Sequence, residues 1–206
     1  MQRMTLLAFT GLLAAALGLS GCESMQSMPL LGKSDAGWTT LLDGAQGLEN
    51  WNRVGSANWA VVDGVVTADR SDKGAGFLVS KNSYKDFVVR AEFWVTDNAN
   101  SGIFMRCKDA KNVGDETCYE ANIFDQRPDP TYRTGAIVGV AKPSVAIDTG
   151  NRWNDYDIVA RGRHLVVKLN GQTTVDVEDD KLVVGPIGLQ YAAGQVKFRH
   201  VRIRGY

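Results

Sequence analysis

Alternation of apolar and polar residues is the feature that most limits how this chain can fold. The segment 86–95 (DFVVRAEFWV) puts five apolar side chains on one face of an extended strand and the charged Arg90 and Glu92 on the other. Segments 101–107, 119–125, 165–169 and 173–177 alternate in a similar way. A period of two is that of a β-strand, and no run of ten residues keeps the apolar stripe of a helix. The chain is therefore predicted to be all-β.

Short turns separate the alternating segments. Asp63-Gly64 and Asn170-Gly171 each stand between two strand-like runs, and such dipeptides favour two-residue hairpin turns. Within segment 196–203 the apolar parity changes midway, which predicts a β-bulge. Roughly ten to twelve short strands without a long helix predict a β-sandwich or jelly roll.

Charge and length restrict the class of function. The chain has 206 residues, with 23 basic and 23 acidic side chains. Nucleic-acid binding requires a surplus of basic residues to displace the counterions of the phosphates, so this balance predicts no nucleic-acid partner. Nothing in residues 37–206 indicates a second domain, although segment 127–134 (RPDPTYRT) lacks periodicity and is predicted to be a long loop.

The first residues resemble the signal peptide of a bacterial lipoprotein. Arg3 is followed by an apolar run over 5–19, which is too short for a comfortable membrane span. The run ends at Leu19-Ser20-Gly21-Cys22, which is similar to the lipobox where the signal is removed before a lipidated cysteine. The alternative is an ordinary signal peptide with an incidental cysteine.

The lipoprotein interpretation gives three regions and a location. Residues 1–21 are the predicted signal peptide, 22–36 a lipidated tether and 37–206 the folded domain. The lipid on Cys22 would anchor the protein to a membrane. Glu23 follows the cysteine, and by resemblance to the enterobacterial sorting rule this favours the outer membrane of the cell envelope, with the domain facing the periplasm or the exterior.

Cys107 and Cys118 would then lie in an oxidising compartment. A bond between them would close a 12-residue loop. A zinc site is the competing interpretation, but no CxxC pattern or nearby histidine supports it. A disulfide is predicted.

Several motifs together resemble the 3-keto-disaccharide hydrolase family, also called domain of unknown function 1080. They are 37–44 (GWTTLLDG), 59–64 (WAVVDG), 100–106 (NSGIFMR), 119–125 (YEANIFD), 153–156 (WNDY) and 185–190 (GPIGLQ). The resemblance spans about residues 37–206. It implies a concanavalin-like jelly-roll β-sandwich of two antiparallel sheets whose concave face receives a saccharide, and a hydrolase or lyase acting on 3-keto-glycosides.

The chemistry of a 3-keto-glycoside sets what such a site needs. The ketone acidifies the C2 proton, so a base can remove it and the C1 substituent can leave by elimination. The site needs a base, an acid for the leaving group, and a cation or a divalent metal ion facing the oxyanion. Glu120, Arg106 and Glu92 lie at charged positions of their strands, and they would converge if those strands were neighbours. They are the predicted catalytic residues.

Five residues are predicted to bind the saccharide: Asn122, Asp125, Gln190, Trp94 and Tyr191. Each set has a structural alternative. Glu120 with Arg106 would also fit a cross-strand ion pair on a solvated face, and Asp125 would fit a turn cap.

A non-catalytic module that binds glycan or protein is the alternative function. Asn122 stands where family members often carry Gln, and Tyr191-Ala192-Ala193-Gly194 follows the Gly-Leu-Gln motif where a polar group is often found.

Overall fold

The computed structural model describes residues 36–206, so the predictions for the signal peptide, the tether and Cys22 lie outside the described residues. These residues form 13 β-strands and two 3-10 turns, at Leu48–Asn50 and Pro130–Tyr132. The strands are β1 (Thr39–Leu42), β2 (Trp51–Val54), β3 (Ala60–Val62), β4 (Val65–Ala68), β5 (Gly76–Ser80), β6 (Phe87–Val95), β7 (Ser101–Met105), β8 (Tyr119–Ile123), β9 (Trp153–Arg161), β10 (His164–Leu169), β11 (Gln172–Glu178), β12 (Gly188–Tyr191) and β13 (Val196–Gly205). No helix in this part of the chain is long and apolar enough to cross a membrane.

The strands form two antiparallel sheets. The eight-stranded sheet has the order β11-β10-β9-β6-β13-β4-β3, with β1 also paired to β13. The five-stranded sheet has the order β2-β5-β12-β7-β8. Non-sequential neighbours such as β6 and β13 show that the chain crosses repeatedly between layers. The predicted all-β jelly-roll sandwich of two antiparallel sheets is confirmed.

The main core lies between the sheets and contains the inward residues of both. Phe87, Phe93 and Phe198 come from the large sheet, and Ile103 and Leu189 come from the small one, and all five are fully buried. Closing two sheets on each other removes these apolar faces from water, which is the main driving force for the fold.

A second apolar cluster covers the other face of the five-stranded sheet. It contains Phe77, Val79, Phe104, Cys107 and Cys118. The rings of Phe77 and Phe104 make a T-shaped contact, with 5.3 Å between their centroids. Because both faces of this sheet are covered, every residue of β5, β7 and β8 is buried.

The local predictions about turns are confirmed. Asp63 and Asn170 have φ of 51°, and the glycines that follow them also have positive φ, as two-residue hairpins require. In β13 the register against β6 shifts between Arg199 and Arg202, where His200 has φ of 49°. This bulge lets the strand keep apolar residues in the core on both sides of the parity change.

Candidate active site on the five-stranded sheet

Glu120 is a buried carboxylic acid on the outer face of the five-stranded sheet. It lies on β8 opposite Phe104 of β7, on the side away from the main core, and is 7% exposed. No side-chain hydrogen bond or salt bridge joins Glu120 to any residue within 36–206. Burying a carboxyl group without such a partner is costly, so the position is unfavourable for stability alone.

Gly102 makes room for this carboxyl group. Gly102 lies on β7 opposite Asn122, and a Cβ atom placed on it would be 2.8 Å from Oε1 of Glu120. The glutamate side chain therefore leans over the glycine. The register of β12 on β7 pairs Leu189 with Ile103, so its continuation puts Gln190 on the other side of Gly102. The carboxyl group of Glu120 thus lies over a gap between Gln190 and Asn122.

Both amide side chains beside this gap have an unpaired oxygen. Asn122 is fully buried, and its Nδ2 donates to the carbonyl oxygen of Tyr132 at 2.5 Å. This bond fixes the amide orientation and leaves Oδ1 without a donor among the described residues. Oε1 of Gln190 is likewise buried and unpaired there. Buried acceptors normally have donors, so these two oxygens lack hydrogen bonds of the kind that a ligand hydroxyl or a water molecule supplies.

Burial, together with the negative charge of Asp115, raises the pKa of Glu120 to about 8, and the positive charge of Arg127 opposes this rise. A carboxyl group with this pKa is able to take or give a proton near neutral pH. The half-buried guanidinium of Arg127 forms no salt bridge within residues 36–206. It is the cation that acts electrostatically on Glu120.

A loop closed by a disulfide covers part of this face. Cys107 and Cys118 are bonded, which confirms the predicted disulfide. Between them, Val113 packs on the outer apolar cluster, and Asp115 acts electrostatically on Glu120. We call residues 107–118 the disulfide loop. It covers the outer cluster beside the glutamate.

Reducing the disulfide is expected to destabilise the protein by about 3 kcal/mol, because the unfolded chain regains the conformational freedom of a short closed loop. Denaturant unfolding of the Cys107→Ser/Cys118→Ser protein would measure the change. The unaltered protein in reductant should show the same loss. Equal stability of the oxidised and reduced forms would contradict this prediction.

Arg106 does not take part in this site, so the prediction that Arg106 and Glu120 converge is wrong. Arg106 follows β7 with φ of 51°, and this left-handed conformation ends the strand alternation on which the prediction depended. Its side chain is fully buried. The guanidinium donates to the carbonyl oxygens of Lys85 (2.6 and 2.8 Å), Gly162 (2.8 Å) and Leu182 (3.1 Å), and to Oδ1 of Asp86 (3.3 Å). Arg106 therefore ties together loops of both sheets.

The predicted convergence of Glu92 and Trp94 with Glu120 is also wrong, because β6 belongs to the eight-stranded sheet. Glu92 accepts a hydrogen bond from Nε of Arg199 at 2.6 Å. The Trp94 ring has the ammonium group of Lys197 4.4 Å from its centroid. Both side chains lie on the outer face of the large sheet, so they do not share a face with Glu120.

The contacts of Tyr191 and Asp125 give both residues structural roles. Tyr191 packs in the main core, on the opposite side of β12 from Gln190, which contradicts its predicted place beside the saccharide. The carboxylate of Asp125 accepts four hydrogen bonds. The donors are the hydroxyl of Thr134, the hydroxyl and amide of Thr149, and the amide of Gly150. Asp125 thus joins two loops, as its alternative interpretation as a turn-forming residue suggested.

Three residues of the site were not predicted. Gly102 lies in segment 100–106 (NSGIFMR), but the sequence does not show that the side chain of Glu120 occupies the space above it. Arg127 begins the segment that was predicted to be a long loop, and Asp115 lies in the disulfide loop. A sandwich often carries its binding residues in long loops, so loop length was the available signal.

The surroundings of Glu120 are neither a metal site nor a cavity in the described part of the chain. Among residues 36–206, no three His, Cys, Asp or Glu side chains come together to hold a metal ion. A cavity of about 430 Å³ lies beside β8, lined by Asp115, Cys118, Tyr119, Val138 and Leu182 among others. Glu120 does not line it. The unpaired polar groups, rather than this cavity, therefore define the candidate site.

Comparison with known proteins assigns the family. A model described as the 3-keto-alpha-glucoside-1,2-lyase-like domain matches residues 37–204. The chain belongs to this family. The motif-based prediction of the family is thereby confirmed. No curated protein sequence matches the chain.

Solved structures show the same fold as this 3-keto-glucoside lyase-like domain. Two candidate glycosyl hydrolases from Parabacteroides distasonis ATCC 8503 are similar to it. The first is 17% identical, with TM-score 0.71, over 82% of this chain and 94% of its own. The second is 25% identical, with TM-score 0.68, over 82% and 99%. The carbohydrate-binding module CBM66 from Bacillus subtilis is 22% identical, with TM-score 0.58, over 82% and 96%.

Proposed function

We propose that this chain is a glycoside-acting enzyme that cleaves 3-keto-glycosides by elimination, with Glu120 as the base. The observation that carries the proposal is the buried carboxyl group of Glu120 between two unpaired amide oxygens. The family and the related glycosyl hydrolases and carbohydrate-binding module support a saccharide as the ligand. The outer face of the five-stranded sheet is the proposed binding face.

The proposed reaction begins with transfer of the C2 proton to the carboxylate of Glu120. The electron pair of the C2–H bond forms a C1–C2 double bond through the enolate, and the C1–O bond to the leaving group breaks. The leaving oxygen then takes a proton, either from the newly protonated Glu120 or from water. Later addition of water across the double bond gives the free 3-keto sugar, so the net reaction is hydrolysis.

Other residues have supporting roles in this proposal. Oδ1 of Asn122 and Oε1 of Gln190 would accept hydrogen bonds from sugar hydroxyls, which would orient the ring over Glu120. Arg127 would replace Arg106 as the cation that stabilises the enolate oxygen. Its positive charge already acts on Glu120, and it forms no salt bridge among the described residues that would have to be broken.

The direct test compares a 3-keto aryl glucoside with the same unoxidised aryl glucoside. The protein should release the aglycone only from the keto sugar, because only its C2 proton is acidic. Because Glu120 must be deprotonated and its pKa is about 8, the rate should increase with pH and level off above about 8. Saturable binding of either sugar without release would contradict the enzyme and support the alternative binding module. Equal release from both sugars would contradict elimination.

Gly102→Ala is expected to reduce the activity by roughly 100-fold, since a Cβ atom 2.8 Å from Oε1 would displace the carboxyl group. The thermal midpoint should change less than the rate, because the nearest atom is the end of a flexible side chain and the backbone oxygen of Ala121 is farther away, at 3.3 Å. Rates with the keto aryl glucoside would measure the effect. Gly114→Ala is the matched control, because a Cβ atom there meets no heavy atom within 4 Å. Full activity of Gly102→Ala would contradict the position assigned to Glu120.

The proposal includes a location. The sequence of residues 1–35 supports export and a lipid on Cys22, so that the domain would be held at the bacterial cell envelope, with the outer membrane favoured by Glu23. Mass spectrometry of the N-terminal peptide from cell membranes would test the lipid. An unmodified Cys22 would contradict the anchor while leaving the activity of Glu120 a separate question.

A further inference from the structure

The described chain begins on the outer face of the eight-stranded sheet. Trp38 directly precedes β1, which pairs with β13 of that sheet. The guanidinium groups of Arg90 and Arg204 lie 4.6 and 5.2 Å from the centroid of the Trp38 ring. Arg90 is on β6, at a position that points away from the main core. The described part of the chain therefore starts at this face.

The outward positions of β13 on either side of the bulge carry only cations, and the exposed His200 at the bulge lies 3.1 Å from the carboxylate of Asp43. These cations are Lys197, Arg199, Arg202 and Arg204, and we call them the β13 cation row. At about 3.3 Å per residue, the row extends over roughly 23 Å. The bulge in β13 preserves it, because the inward side chains on both sides of the bulge remain in the core.

Each cation of the row lies over a tryptophan ring. The distances to the ring centroids are 4.4 Å for Lys197 on Trp94, 3.8 Å for Arg199 on Trp153, 5.8 Å for Arg202 on Trp38 and 5.2 Å for Arg204 on Trp38. Cation–π contacts hold these flexible side chains in place without neutralising them. The row thus presents fixed positive charges, and the ring faces are not free to stack on sugars.

Carboxylates neutralise only part of this charge. Arg199 pairs with Glu92 at 2.6 Å, and the neighbouring Arg90 pairs with Asp157 at 2.9 Å. Lys197 and Arg204 form no salt bridge with any residue in the described part of the chain. Positive charge is therefore available at both ends of the row.

We propose that the β13 cation row docks on the anionic headgroups of the membrane that carries the lipid on Cys22. The inference rests on the proposed lipid anchor and not on the chemistry of Glu120. The predicted tether over residues 22–36 has 15 residues and would reach at most about 50 Å, which keeps the row within reach of the headgroups. Glu120 lies on the outer face of the other sheet, so this docking would leave its site facing away from the membrane.

The test uses the full lipidated chain reconstituted in vesicles of phosphatidylcholine alone or with one third phosphatidylglycerol. The acetylation rate of the Lys197 amine, read by mass spectrometry, is compared with that of Lys111 in the disulfide loop. Phosphatidylglycerol should slow Lys197 at least fivefold and leave Lys111 unchanged. About 0.5 M salt should remove the protection, because it shortens the range of charge interactions to a few ångströms.

Charge-reversal variants distinguish docking through the β13 cation row from a general attraction of the protein to anionic vesicles. Arg204→Glu should return the Lys197 rate to within about twofold of that in phosphatidylcholine, whereas Lys111→Glu should preserve the protection. Equal Lys197 rates in both vesicles would overturn the proposal. Protection by a soluble anionic polysaccharide but not by phosphatidylglycerol would overturn it in favour of a glycan partner. If the chain floated with neither vesicle, the lipid anchor on which the proposal rests would be absent and the proposal would be overturned.

Discussion

Glu120→Gln is expected to abolish cleavage of a 3-keto-glycoside and, at the same time, to make the protein more stable at alkaline pH. The activity should fall by about 10²–10⁴-fold, since the amide cannot take the C2 proton. The rate with a 3-keto aryl glucoside at pH 8 would measure this loss. Glu116→Gln, in the exposed part of the disulfide loop, is the control and should retain full activity.

The stability of the same variant follows from the raised pKa. The folded state keeps the proton on Glu120 up to a pKa of about 8, whereas the unfolded chain loses it near the usual 4.5. The free energy of unfolding therefore falls as the pH rises between these values, and the full cost is present above pH 8. Removing the charge should recover about 3–5 kcal/mol there and almost nothing below pH 4. Denaturant unfolding of both proteins at pH 4 and pH 9 would measure this difference. A variant that remains active, or that gains no stability at pH 9, would contradict the role of Glu120.

Arg106→Met is expected to destabilise the protein by about 3–5 kcal/mol, because three carbonyl oxygens and Asp86 lose a buried donor. For a domain of this size, the thermal midpoint should fall by roughly 10 °C. Calorimetry would measure the shift, with the exposed Arg53→Met on β2 as the control.

The same variant separates a structural role from a catalytic one. At a temperature where Arg106→Met is still folded, its rate on a keto glycoside should stay within about threefold of the unaltered protein. Arg127→Met should show the opposite pattern, with a large loss of rate and a small change of thermal midpoint. If Arg106→Met lost its activity without losing stability, the guanidinium would belong to the reaction after all.

Local sequence rules predicted the parts of the fold that depend on neighbouring residues. The alternation in β6, the Asp63-Gly64 and Asn170-Gly171 turns and the bulge in β13 each follow from short-range preferences, and each is present. The pairing of Cys107 with Cys118 was accessible for the same reason, since the closed loop is short.

The candidate site could be predicted only in part, because it depends on sheet partnership. Alternation shows that Glu92 and Glu120 leave the core side of their strands, but not that β6 and β8 belong to different sheets. The left-handed backbone of Arg106 ended the parity from which its direction was inferred. Gln190 and Asn122 stay predictions as binding residues, and their positions beside Gly102 come from the register of three strands.

The disulfide loop has a consequence for when the protein can mature. Its closure requires two thiols to lose their protons and electrons to an oxidant, and the reducing cytoplasm opposes this step. With the proposed export, we expect the loop to close only outside the cytoplasm, so that newly made chains lack about 3 kcal/mol of stability until then.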